Sequence, residues 1–175
     1  MPLLSLATIR QTADGRWVAG LSDVRVDSDS GVVYAPGGAL TPEGGLAVSL
    51  VNRTGAPSVK GAAVTAGSLE QGSFELETSQ FATIGYVYEA GVPDGEACLV
   101  VVAGKAHFLL KDGTAAQRGY LLRPSSDAPG RVEAVVPPSG VGAQATNDHF
   151  KEAGHCLEDQ AAGVSVLALA AIHFN

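Results

Sequence analysis

Short apolar runs bounded by turn residues recur along most of the chain. Residues 24–27 (VRVD) alternate apolar and polar, the period of a half-buried strand. Residues 31–34 (GVVY) follow an Asp-Ser-Asp-Ser turn. Residues 46–52 (LAVSLVN) and 60–66 (KGAAVTA) flank the turn 53–57 (RTGAP). Residues 73–77 (SFELE) place Phe74 and Leu76 on one face and Glu75 and Glu77 on the other, which predicts a wet outer face. Residues 84–89 (IGYVYE) precede the strong turn signal GVPDG. Residues 97–103 (ACLVVVA) are apolar on both faces, Gly104 punctuates them, and 105–110 (KAHFLL) continue. Residues 119–123, 132–136, 149–158 and 164–174 complete some ten or eleven strand candidates. Single helical turns are expected at most around residues 113–117 and 147–152. Close spacing and Gly, Pro, Asp and Asn turns mark a sandwich or small barrel.

Composition narrows this further. The chain has 175 residues, 22 of them Gly and 9 Pro, and no stretch free of both exceeds 12 residues. Interior Gly and Pro cost a helix about 1 and 3 kcal/mol each, so long helices, coiled coils and bundles are excluded. Apolar residues make up 46% and charged residues 17%, enough for a buried core. Residues 1–45 are turn-rich and read as an N-terminal arm or small appended β extension; residues 46–175 hold the dense strands of the main domain.

Net charge is −7, with a pI near 4.9. An acidic chain lacks the basic footprint of a nucleic-acid binder. The apolar run at residues 3–9 is short, interrupted and not preceded by basic residues, unlike a signal peptide. The apolar stretch 164–175 is too short for a bilayer, so no membrane association is expected. Cys98 and Cys156 read as two buried thiols of a protein made in a reducing cytosol.

No catalytic constellation emerges. His149 and His155 are six apart, and no pair among His107, His149, His155 and His173 shows a ligand spacing with a carboxylate, so no metal and no cofactor is expected. Cys156 and His155 are adjacent on a strand, hence on opposite faces, and cannot serve as nucleophile and base for one another. No Gly-x-Ser-x-Gly elbow and no phosphate loop is present, and Gly37-Gly38 and Gly44-Gly45 read as turns. Asn52-Arg53-Thr54 fits a glycosylation triplet but has no secretory context. The expectation is a protein that binds rather than transforms.

The order of several segments carries a resemblance. They are VNRTG (51–55) with SVKG (58–61), IGYVYE (84–89) with GVPDG (91–95), VVVAGKA (100–106), LLKDGTAA (109–116) with Arg118-Gly119, HFKE (149–152) with GHCLE (154–158), and the terminal IHFN (172–175). This order resembles the capsid decoration, or cement, proteins of tailed bacteriophages, over roughly residues 50–175. The resemblance implies a compact all-β fold, a small barrel of β-tulip type. It implies an outer-capsid location in the virion after synthesis in the host cytoplasm. The implied partner is the major capsid protein, and the implied assembly a homotrimer. It supplies no catalytic residues. On this reading Leu3, Leu4, Leu6, Ile9 and Trp17 are the candidate partner-binding residues, on an arm that reaches a neighbouring subunit by strand addition. The alternative is a virion surface or tail adhesion module that stacks a glycan on exposed Tyr86, Tyr88, Tyr120 or Trp17.

Overall fold

The computed structural model describes residues 9–11, 17–19, 24–35, 37–137 and 151–173. These hold fourteen strands and no helix: β1 (Ile9–Gln11), β2 (Trp17–Ala19), β3 (Arg25–Val26), β4 (Val33–Ala35), β5 (Gly38–Leu40), β6 (Gly45–Asn52), β7 (Ala63–Ala66), β8 (Ser73–Leu76), β9 (Thr83–Val87), β10 (Ala97–Leu109), β11 (Leu121–Pro124), β12 (Val132–Val135), β13 (Gly154–Cys156) and β14 (Leu167–Ile172). β1 and β2 form a separate two-stranded hairpin, and the other twelve belong to one hydrogen-bonded sheet.

Five strands of that sheet close on themselves. β10 pairs with β9, β9 with β7, β7 with β8, β8 with β6 in parallel, and β6 again with β10. The chain is therefore an all-β protein built on a closed five-stranded barrel with extra strands bonded outside it. A ring this small is filled by its own side chains. Val64, Phe74, Val87, Cys98 and Val100 are buried in one cluster with Leu50, Leu76, Ile84 and Val102, so every barrel strand contributes.

The double-faced apolarity of ACLVVVA has a structural cause. Cys98, Val100 and Val102 join the barrel cluster, whereas Leu99 and Val101 join a second cluster on the other side of β10. The second half of β10 leaves the ring and pairs with β14, which leads through β13 and β11 to β12. This outer sheet curls back, so that Leu110 bridges Val132 of β12. Phe108, Leu110, Leu122, Val132, Ala168 and Ala170 fill it and meet Tyr86 and Ala63 of the barrel.

Gly104 does not end the strand. The register shifts between Val101 and Ala103, and Gly104 follows at φ +83°, a bend within one long strand. A Cβ there would collide with the carbonyl oxygen of Gly44, so both the backbone conformation and the close approach require glycine.

Gly38 also departs from the turn reading. It opens β5, pairs with Ala35, and lies so close to the Ala47 carbonyl that a side chain would sit 2.7 Å from it. Through β5 the strands β3 and β4 extend the sheet from β6, as an appended β extension of the barrel.

Candidate functional site

Two features stand out, and each is assembled across strands rather than along one. The first is an apolar ladder. Cross-strand register places Val26 opposite Val33, Val33 opposite Leu40, Leu40 opposite Leu46, and Leu46 opposite Ala103. Residues directly opposed share a sheet face, so one apolar row crosses β3, β4, β5, β6 and β10. The adjacent row on the other face, Ala39, Ala47 and Val101, is buried in the second core. The ladder is not buried: Val26, Leu40 and Leu46 are 42%, 53% and 44% exposed. Val33 between them is half-buried, and the row as a whole is a candidate interaction surface.

Beside it, at the ends of β4 and β5, an open cleft of about 710 Å³ is lined by Tyr34, Ala35, Val48, Ser49, Glu89 and Leu99, among others. Glu89 is held in place by the Leu99 N–H, which donates to its Oε2 at 2.9 Å. Burial, then the negative charges of Glu89 and Asp27, push the Tyr34 phenol above its ordinary range, so it stays neutral.

The second feature joins Glu152, His155 and His173. β13 and β14 run antiparallel with Gly154 opposite Ile172 and His155 opposite Ala171. That register sets Glu152, just before β13, next to His173, just after β14, and the His173 N–H donates to the Ala153 carbonyl at 3.2 Å. The Glu152 carboxylate is buried, yet both histidine side chains are nearly half exposed. Glu152 Oε1 lies 2.6 Å from His155 Nε2 and 3.1 Å from His173 Nδ1, and the imidazole centroids are 5.8 Å apart. The ligating atoms of all three residues fall within 4.8 Å of one another. The expectation that no histidine meets a carboxylate at ligand spacing is corrected here. His155 finds Glu152 three residues earlier, and strand pairing brings in His173 from the end of the next strand.

The remaining sequence candidates divide as follows. Leu3, Leu4 and Leu6 lie outside the described residues. Ile9 and Trp17 lie on the hairpin β1–β2, where Ile9 pairs with Ala19 and Trp17 with Gln11. Tyr86 is fully buried and stacked on Phe108, so it is no exposed platform for a sugar. Tyr88 and Tyr120 pack partly against the second core, and Lys60 Nζ sits 4.9 Å above the Tyr88 ring.

Cys98 and Cys156 are both buried free thiols, and burial pushes each above the ordinary thiol range. Glu77 is not on a wet face. It is 1% exposed and accepts hydrogen bonds from the Ser79 N–H, the Ser79 hydroxyl and the Gln80 N–H, closing the turn after β8. Asn52 of the glycosylation triplet is fully buried, and its amide holds two loops together.

Among the described residues, no helix is long and apolar enough to cross a membrane. Compared with known proteins, the chain matches no family model and no curated protein. Its class therefore rests on the fold: a closed-barrel β protein with an appended sheet on each side.

Proposed function

We propose that this chain is a capsid decoration protein: a non-enzymatic structural component that docks on the outer surface of an assembled bacteriophage head and stabilises it across coat-subunit boundaries. One observation carries the reading. A rigid barrel presents the exposed apolar ladder Val26–Val33–Leu40–Leu46–Ala103 on a sheet whose opposite face is locked into the core. The resemblance of the segment order in residues 50–175 to cement proteins supports it from the sequence. The major capsid protein is the proposed partner, and a trimer on the shell the proposed assembly.

The energetics suit the role. A protein that binds only the closed lattice stabilises it by RT ln(1 + [L]/Kd), about 2.7 kcal/mol per site at a free concentration of 100 Kd. Repeated over many sites, and strengthened by the avidity of a trimer, a modest contact resists the outward pressure of packaged DNA. The net charge of −7 keeps the decoration off nucleic acid.

The test is co-sedimentation of the purified chain with heads assembled without it. The L40D/L46D variant alters two half-exposed side chains and should keep the wild-type melting curve. It should lose at least about tenfold in affinity for the heads, since each buried aliphatic side chain contributes about 1.5–3 kcal/mol. Unchanged binding by the folded variant removes the ladder as the docking face. Of the residues that the glycan-binding alternative invokes, Tyr86 is fully buried, Tyr88 and Tyr120 are partly buried against the second core, and Trp17 lies on the β1–β2 hairpin.

A further inference from the structure

We propose that Glu152, His155 and His173 form a binding site for a divalent transition-metal ion, with zinc as the best-suited occupant. The inference stands apart from the decoration reading and does not need it.

The donor set is two imidazole nitrogens and one carboxylate oxygen, a combination that suits borderline metals such as zinc. All three ligating atoms already converge within 4.8 Å. In a tetrahedral zinc site with bonds of about 2.0–2.1 Å, neighbouring ligand atoms stand about 3.3 Å apart. The Glu152–His173 separation of 3.1 Å nearly matches this, and the Glu152–His155 separation of 2.6 Å needs to open by less than about 1 Å. The two histidine nitrogens, within 4.8 Å of one another, close by up to about 1.5 Å to reach the same spacing. Coordination requires the imidazoles to carry their protons on the outer nitrogens, Nδ1 of His155 and Nε2 of His173. With three protein ligands, a zinc ion takes water in its fourth position.

The backbone around the site is fixed. Glu152 precedes Ala153, whose N–H donates to the Leu122 carbonyl at 2.8 Å. His155 sits within β13, and His173 is tied to Ala153. An ion here pins the start of β13 to the end of β14, and with it the outer sheet. The sulfur of Cys156 takes no part: it belongs to the buried second core and packs against the Glu158 carbonyl.

The experiment is isothermal titration of the full chain with ZnCl₂, paired with thermal melts. The expected result is saturable binding at one ion per chain and a higher melting temperature with zinc. H155A and H173A each weaken binding by about tenfold or more, the scale on which even supporting residues of metal sites act. Both substitutions remove half-exposed side chains, and circular dichroism checks their folding. Cobalt substitution of the wild-type chain supplies a readout independent of the variants: a nitrogen and oxygen ligand field without a thiolate charge-transfer band. No saturable binding, equal binding by the H155A/H173A double variant, or a thiolate band overturns the proposal.

Discussion

Phe108 lies face to face with Tyr86, ring centroids 3.6 Å apart and planes 18° from parallel, at the seam where the outer sheet meets the barrel. Phe108 is on β10 beyond the bend at Gly104, and Tyr86 is on β9, so the pair ties the second half of β10 back onto the closed ring. Gly154 makes room for it: a Cβ there would come within 3.0 Å of the Phe108 ring. F108A should destabilise the protein by about 3–5 kcal/mol, the usual cost of emptying a buried aromatic site. Urea denaturation measures it.

The hydroxyl at the other end of this pair behaves differently. Tyr86 Oη is buried with no hydrogen-bond partner among the described residues, and burial followed by the charge of Glu77 pushes the phenol far above its ordinary range. Removing a buried group that makes no hydrogen bond takes away a desolvation cost. Y86F should therefore unfold at an equal or higher urea concentration than the wild-type chain. A fall of more than about 1 kcal/mol would show that the hydroxyl does make a stabilising bond.

Asn52 is the polar counterpart of that aromatic seam. Its Nδ2 donates to the carbonyls of Ala56 and Val92, both at 2.9 Å, and its Oδ1 accepts from the N–H and hydroxyl of Thr54. The loop after β6 is thereby clasped to the loop before β10, and Ser58 repeats the connection through the Glu89 carbonyl and the Val92 N–H. N52A leaves several of these groups buried and unpaired, at about 1–3 kcal/mol for each that water does not reach. A loss of about 3 kcal/mol in denaturant melts is expected, with the loops around Ala56 and Val92 gaining hydrogen-exchange rate.

Much of this was legible in the chain. The run that became β8 declared itself by alternation, those that became β6, β9 and β10 by short apolar stretches bounded by turn residues, and the two-sided apolarity of ACLVVVA is what a strand between two cores requires. Gly104 and Gly38 misled for one shared reason. Glycine signals a break in a local reading, yet here each permits a close approach of backbone to backbone, to Gly44 and Ala47, that only the folded sheet reveals. Glu77 looked solvated because alternation was extended one residue too far: β8 ends at Leu76, and Glu77 turns inward to accept hydrogen bonds from Ser79 and Gln80. The ladder and the Glu152–His155–His173 cluster are products of register between strands, to which spacing along the chain is blind.

Acid stability should follow three carboxylates. Glu158 is held below the usual glutamate value of 4.5, first by the Leu169 N–H and then by the Gln160 side chain. Asp127 is held below 3.8, first by Lys111 and then by Ser125. For Glu133, burial opposes ionisation, but Ser125, Lys111 and Arg123 outweigh it and the carboxyl is again lowered. A group with a depressed folded pKa contributes stability above its unfolded pKa and loses it as pH falls through the folded one. The melting temperature should thus hold near neutral pH and decline from about pH 4.5 downward. E158Q should show a shallower decline, and an identical profile would remove Glu158 from this role.

The bend in β10 gives a fifth expectation. G104A places a Cβ against the Gly44 carbonyl on a residue at φ +83°. Alanine at positive φ costs more than the roughly 0.4–1 kcal/mol that it returns by restricting the unfolded chain. The variant should be less stable than wild type, with the loss shared between barrel and outer sheet because β10 serves both.

Imaging of the particle that carries this chain tests decoration most directly. The predicted result is density for the closed barrel on the outer face of the shell, in many copies, straddling boundaries between coat subunits, with Leu40 and Leu46 turned toward the coat. Finding the chain only inside the head, or associated with no shell at all, would contradict it.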